Sequence, residues 1–160
     1  PITWVWDAAT RQWHERGRWS DGQWSRLGLT HHAYAYGLHY VADAFGLYRM
    51  SRDLHSLAGD VLMRERTWSH LVSPSLEPLS IHAVELRCAT GSGGQISLEA
   101  SNDGGQVWHA PRFKSLGEIG QRTHRVRWMP LGTCPAGGSR VHRLRCSDPV
   151  PLTIIGATVL

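Results

Sequence analysis

The feature that most restricts this chain is a two-residue alternation of apolar and polar side chains in its second half. Gly, Pro, Asp or Ser interrupt it roughly every eight to twelve residues, the spacing of short strands. Val84, Leu86 and Cys88 alternate with Glu85 and Arg87, and Ile96, Leu98 and Ala100 with Ser97 and Glu99. From Thr123 to Met129, His124, Val126 and Trp128 oppose Arg125 and Arg127. From Val141 to Ser147, Leu144 and Cys146 oppose Arg143 and Arg145. Side chains of a strand point alternately to opposite faces, so each segment has one apolar face and one wet face. That pattern predicts an antiparallel sheet or sandwich and excludes a helical bundle, because few stretches carry apolar residues at helical spacing.

The first half reads as aromatic hairpins. Thr3-Trp4-Val5-Trp6-Asp7 is followed by a turn through Ala8 to Gln12 and by Trp13-His14-Glu15-Arg16, with aromatics facing across the pair. A second set runs from His32 to Tyr36, from Leu38 to Ala42, through a turn at Asp43-Ala44-Phe45-Gly46, and from Leu47 to Met50. The segment from Val61 to Ser69 is a further strand candidate. The spacing of Trp6-Asp7 and Trp13 resembles a kelch propeller blade, although no repeat of fixed period is visible.

Pro74 and Pro78 interrupt both pairing and helix, so the domain boundary is expected in the Val72–Pro78 segment. This gives propeller-like hairpins over residues 1–72, read as the C-terminal part of a larger domain, and an antiparallel β module over residues 79–160. Asp148-Pro149-Val150-Pro151 turns the chain into a nearly continuous apolar run, Leu152 to Leu160, expected to be a buried closing strand.

The 160 residues suffice for a real core, and an apolar share of 41% with 19% charged residues is globular. The net charge of +4 permits a polyanionic partner without requiring one. Lys114 is the single lysine, so the positive charge is almost wholly arginine, the side chain that forks onto carboxylates and phosphates. Cys88, Cys134 and Cys146 form no close pair and fit a reduced compartment better than a disulfide or zinc framework. No apolar stretch approaches the length of a membrane span, so no membrane partner is expected. The chain opens on Pro1, as a piece of a longer protein would.

Ser101-Asn102-Asp103-Gly104-Gly105-Gln106-Val107-Trp108 fits the Asp-box pattern of sialidase-like propellers. Its role is a structural turn: Asp103 accepts backbone amides two residues on, Gly104 and Gly105 take positive φ, and Trp108 packs beneath. No nucleophile elbow, phosphate loop or zinc motif is present, and the carboxylates are too scattered to nominate an acid and a base. No catalytic residue, metal site or cofactor is assigned, and the chain is expected not to be an enzyme. His31, His32 and His39 approach one another across a hairpin, where solvated or core-bonded histidines far outnumber metal ligands. Arg122, Arg125, Arg127, Arg140, Arg143 and Arg145 crowd two strands that could pair in one sheet. The plainer reading is a solvated face countered by Glu85 and Glu99; the sharper one is a contact with a neighbouring subunit or with DNA phosphates.

An ordered series of short segments resembles the ending of the packaged-DNA-stabilisation proteins of short-tailed phages, the tail-hub proteins below the portal and its adaptor. The series is Val84-Glu85-Leu86 with Thr90-Gly91-Ser92-Gly93, the Ser101 to Trp108 turn, and Lys114-Ser115-Leu116-Gly117-Glu118-Ile119-Gly120. It continues with Arg125-Val126-Arg127-Trp128, Leu131-Gly132, Val141-His142-Arg143-Leu144, Ser147-Asp148-Pro149-Val150 and Ile155-Gly156-Ala157. The hairpins of the first seventy or so residues fit the same family. Met129-Pro130 departs from the arginine pair usual after the tryptophan, and the Pro135-Ala136-Gly137-Gly138 loop is longer than usual.

The resemblance implies a virion protein of the phage tail, made in the host cytoplasm. It would form a homo-oligomeric ring, a hexamer, that closes the portal exit, retains packaged DNA and carries spikes or fibres and a needle. Its partners would be portal and adaptor proteins, spike or fibre and needle proteins, and packaged DNA in the channel. The alternative reading is a carbohydrate-binding or sialidase-related β module carrying an Asp-box turn.

Overall fold

A computed structural model describes residues 3–160, and they are all β and turn, with no helix among them. Seventeen strands follow in order: β1 Thr3–Asp7, β2 Gln12–Ser20, β3 Gln23–Arg26, β4 His31–Ala35, β5 Leu38–Ala42, β6 Leu47–Arg49, β7 Ser56–Leu57, β8 Asp60–Val61 and β9 Arg64–Thr67. Then come β10 Leu79–Ser80, β11 Val84–Cys88, β12 Gln95–Ser101, β13 Arg112–Ser115, β14 Val126–Trp128, β15 Thr133–Cys134, β16 Val141–Cys146 and β17 Ile154–Val159.

The chain divides into two compact units, one ending at Met63 and the other running from Arg64 to Leu160. This lies earlier than the expected boundary at the Pro74/Pro78 segment. The reason is β9, which pairs with β16 across the register Thr67↔Arg143 to Arg64↔Cys146, and Leu71, which bridges to Arg140. Both belong to the second unit, and the prolines sit in a loop within it. β1 pairs with β2 alone, so the two halves share no sheet through that strand.

The first unit holds three separate open sheets, β1-β2-β3, β4-β5-β6 and β7-β8, and no closed one. The expected first hairpin forms, with Trp6 opposite Trp13. β2 then continues into β3 with Trp19 opposite Trp24. Residues opposite one another share a face, as do those two apart on a strand. Trp4, Trp6, Trp13, Trp19 and Trp24 therefore all stand on one face of this sheet. Gly17 lies on that face, where a β-carbon would fall 2.8 Å from the Ser25 carbonyl and 3.1 Å from the Trp24 ring. In the next sheet the Asp43 carboxylate accepts the amides of Phe45 and Gly46 at 2.8 and 3.0 Å and closes the turn before β6. Among the described residues of this unit, Val41 is the one buried apolar side chain.

The second unit is the sandwich that the alternation predicts. One sheet has the order β13-β12-β16-β9 and the other β14-β11-β17, both antiparallel, with a small β10-β15 pair beside them. Ile96, Leu98 and Leu144 of the first sheet bury against Val84, Leu86, Val126 and Trp128 of the second, with Ile81 and Leu116 at the ends. Trp128 closes one side by donating its Nε1–H to the Arg112 carbonyl at 2.6 Å. At the opposite side Arg64 reaches under its own sheet and donates to the Val150 carbonyl at 2.6 Å, to the Asp148 carbonyl and to Cys146 Sγ.

Two expectations need correction. Ser97 and Glu99, placed on a wet face, are buried, because the long Arg143 and Arg145 side chains lie over them. The Leu152–Leu160 run is not a buried strand: β17 is a sheet edge on which Ile155 is 73% and Val159 44% exposed. An apolar run specifies β-propensity and says nothing about how many neighbours the strand will find.

Candidate assembly surface

The outer face of the four-stranded sheet carries the largest charged constellation. Strand register sets Arg143 of β16 opposite Glu99 of β12, and Arg145 opposite Glu65 of β9. Arg143 donates Nε–H to Glu99 Oε2 at 2.7 Å and adds a second, shorter bond from Nη2. Arg145 donates Nε–H to Glu65 Oε2 at 2.7 Å and its Nη1 lies 3.7 Å from Glu99 Oε1. Above this ladder the Arg143 guanidinium stacks 3.9 Å from the centre of the Trp108 ring, a cation–π contact on an already paired arginine.

Trp108 is delivered there by the Asp turn. Ser101, fully buried, donates its hydroxyl to Asp103 Oδ1 at 2.6 Å and accepts the Gly105 amide at 2.9 Å. The Asp103 carboxylate accepts the amides of Gln106 and Val107 at 3.0 Å. These bonds, Ser101's first, hold its pKa below the usual carboxylate value. Gly104 and Gly105 have φ of +77° and +99°, and a β-carbon at Gly105 would sit 3.3 Å from the Trp108 ring. Trp108 is half-buried, lying between the turn and Arg143.

The six arginines do not form one stripe. Arg127 is in β14, Arg143 and Arg145 are in β16, and those strands belong to opposite sheets. Alternation fixes which face a side chain takes and leaves open which strand lies alongside. Arg125, exposed, grips Glu85 with Nε at 3.0 Å and Nη2 at 2.5 Å, and this bond lowers the Glu85 pKa. Arg140 is buried and donates to the Leu131 carbonyl at 3.1 Å. Arg127 is half-buried and Arg122 lies exposed in the preceding turn. Glu65, the second acid of the ladder beside Glu99, was missed in the sequence because its segment was assigned to the first half.

His32 Nε2 and His39 Nδ1 do meet across the β4–β5 hairpin, 3.0 Å apart with stacked rings. Among the described residues no group of three or more His, Cys, Asp or Glu side chains could hold a metal ion. The three cysteines are free thiols, and burial raises the pKa of Cys88.

The segments of the ordered series also meet in space. Gly91 donates to the Leu116 carbonyl at 3.0 Å, Gly93 to the Gly117 carbonyl at 3.1 Å and Gly120 to the Gly91 carbonyl at 2.9 Å, so the two glycine loops interlock at one end of the sandwich.

A seven-stranded sandwich with a self-neutralised outer face and tightly bonded loops defines a rigid β-sandwich module. Residues 65–160, more than half of the chain, match the family described as bacteriophage P22 Gp10, beta-sandwich. The chain belongs to that family, a phage virion structural protein of the tail hub. No curated protein matches the chain.

Proposed function

We propose that this chain is a building part of the phage tail hub that seals the portal exit, retains packaged DNA and forms the platform for spikes or fibres and needle. It works as a homo-oligomeric ring, a hexamer, against portal and adaptor proteins, and as a binding rather than a catalytic protein. The observation that carries the reading is the open tryptophan face of β1-β2-β3. Trp4, Trp6, Trp13 and Trp24 are each exposed on it, with Glu15 among them opposite Trp4, and large exposed aromatics gathered on one face mark a protein–protein contact. Open sheets with aromatic faces are also what propeller blades present to one another before they stack. The paired arginines support a rigid body better than a DNA contact, since Arg143 and Arg145 already spend their charge on Glu99 and Glu65.

The test is to produce particles with and without this protein and to measure retained genome after purification. Particles lacking it are expected to package DNA and then lose it. Full retention in complete particles without it would overturn the reading. A second reading, glycan binding, is favoured by the same exposed rings, which could stack on sugars. Glycan-array binding abolished by Trp13→Ala would support it.

A further inference from the structure

The two sheets of the sandwich differ by one strand. Counting from the side closed by the Trp128–Arg112 hydrogen bond, β13 lies over β14, β12 over β11 and β16 over β17, and β9 has no strand opposite it. Arg64 draws the Asp148–Val150 loop beneath one end of β9. Beyond the Thr67 end of β9, at the Val159 end of β17, a cleft stays open between Leu71, Val72, Leu79, Ile81, Val159 and Leu160, with the polar His70 and Ser80 also lining it.

The edge bordering this space is ready to pair. Leu160 and Ala83 exchange both backbone hydrogen bonds, at 2.9 and 3.0 Å. In an antiparallel ladder such pairs alternate with pairs that are not hydrogen-bonded. With Val159 opposite Val84 and Ala157 opposite Leu86, the N–H and C=O groups of Ala157 and Val159 therefore point away from β11, to the free edge. Natural edges are guarded by charge, proline or brevity. β9 carries Arg64, Glu65 and Arg66, β13 carries Arg112 and Lys114, and β14 is three residues long with Arg127; β17, Ile-Ile-Gly-Ala-Thr-Val, has no charge and no proline.

We propose that β17 accepts an extended segment of a different virion polypeptide as a fourth strand, completing the sandwich four over four. The inference rests on the tail-hub reading. The vacancy is one strand wide, and pairing β17 with β17 of a second copy would bring two overhanging β9 strands into the same space. The strands of this chain's first unit are already paired in their own sheets. The incoming strand turns apolar side chains inward, onto Val159 and the cleft. It also places a carboxylate beneath Arg66, which projects from the inner row of β9 beside Leu144 and, among the described residues, makes no ion pair.

Hydrogen–deuterium exchange of β17 tests this on the isolated full chain over a range of concentrations and on the same chain inside purified phage particles. The Ala157 and Val159 amides are expected to exchange at least about tenfold more slowly in particles than in the isolated chain at any concentration. Ala157→Pro removes a donor used only at the free edge, and Val159→Lys sets an inward charge there. Each is expected to leave the isolated chain folded and to reduce incorporation into particles. Incorporated chain whose β17 amides exchange as in isolation overturns the proposal. Protection that grows with the concentration of the isolated chain makes a second copy the occupant and also overturns it. Absence of the chain from particles instead overturns the tail-hub reading itself, and the inference falls with it.

Discussion

Arg143 stacks 3.9 Å over the ring of Trp108 while its Nε–H and Nη2–H donate to Glu99 Oε2. A loop aromatic and a sheet ion pair are thereby fastened to the same guanidinium.

Removing that guanidinium leaves Glu99, almost fully buried, with the more distant Arg145. Arg143→Met is expected to destabilise the sandwich by about 2–3 kcal/mol, near the lower limit for breaking a buried pair. The Arg143→Met/Glu99→Gln double variant should recover part of the loss. Urea unfolding of the single and double variants measures the coupling, and a single variant as stable as the native chain would refute it.

Ser101 is both donor and acceptor inside the Asp turn. Ser101→Ala is expected to cost about 1–2 kcal/mol, since the Gly105 amide, half-buried, loses its partner and Asp103 loses the Ser101 hydroxyl. Gly105→Ala should also be destabilising, because φ of +99° disfavours any β-carbon and Trp108 stands in its way. Thermal melts of both variants decide; near-native midpoints would show that the turn is dispensable.

His142 is buried on the inner face of β16 against the edge of Trp68, and its Nε2 has no hydrogen-bond partner. Burial, reinforced by the Arg140 charge, lowers its pKa from 6.5 to about 4. A depressed pKa means that the unfolded chain binds the proton more readily between those values. The stability that His142 contributes is therefore complete above about pH 6.5 and is lost as pH falls towards about 4. The urea midpoint should fall across that window, and His142→Leu should flatten the profile. An unchanged slope in the variant would assign the acid sensitivity elsewhere.

Gly17→Ala tests the tryptophan sheet. Its β-carbon would meet the Ser25 carbonyl at 2.8 Å, so β2 and β3 must part. Trp fluorescence and proteolysis are expected to report opening of the first unit, with the second unit's melt unchanged.

Much of this was legible locally. Alternation correctly assigned the buried rows of β11, β12 and β16, and the Glu85 and Glu99 counter-charges were named from sequence. The Ser101–Trp108 turn formed with Gly104 and Gly105 at positive φ as expected, but Asp103 accepts the amides three and four residues on, and the Gly105 amide, two residues on, goes to the Ser101 hydroxyl. What failed was long-range. Arg127 and Arg143 were assigned to one sheet, Glu65 went unnoticed as a partner of Arg145, and the Val72–Pro78 prolines were taken for a boundary. Each error concerns which strand lies beside which, a choice made by the packing of the whole sandwich and not by a segment's own pattern. The apolar β17 run was read as interior for the same reason.

The interlocked glycine loops bear on how this module can change over evolutionary time. At Gly91 a β-carbon would fall 3.0 Å from the Gln121 backbone, and at Gly117 one would fall 2.9 Å from the His124 β-carbon and 3.1 Å from the Gln121 carbonyl. The Gly91 loop cannot take a side chain at that point unless the segment around Gln121 yields, and the backbone bonds from Gly91, Gly93 and Gly120 tie the length of each loop to the other. The two segments are expected to drift as a pair among relatives, gaining or losing residues together, while the exposed Pro135 and Ala136 are free to vary without them.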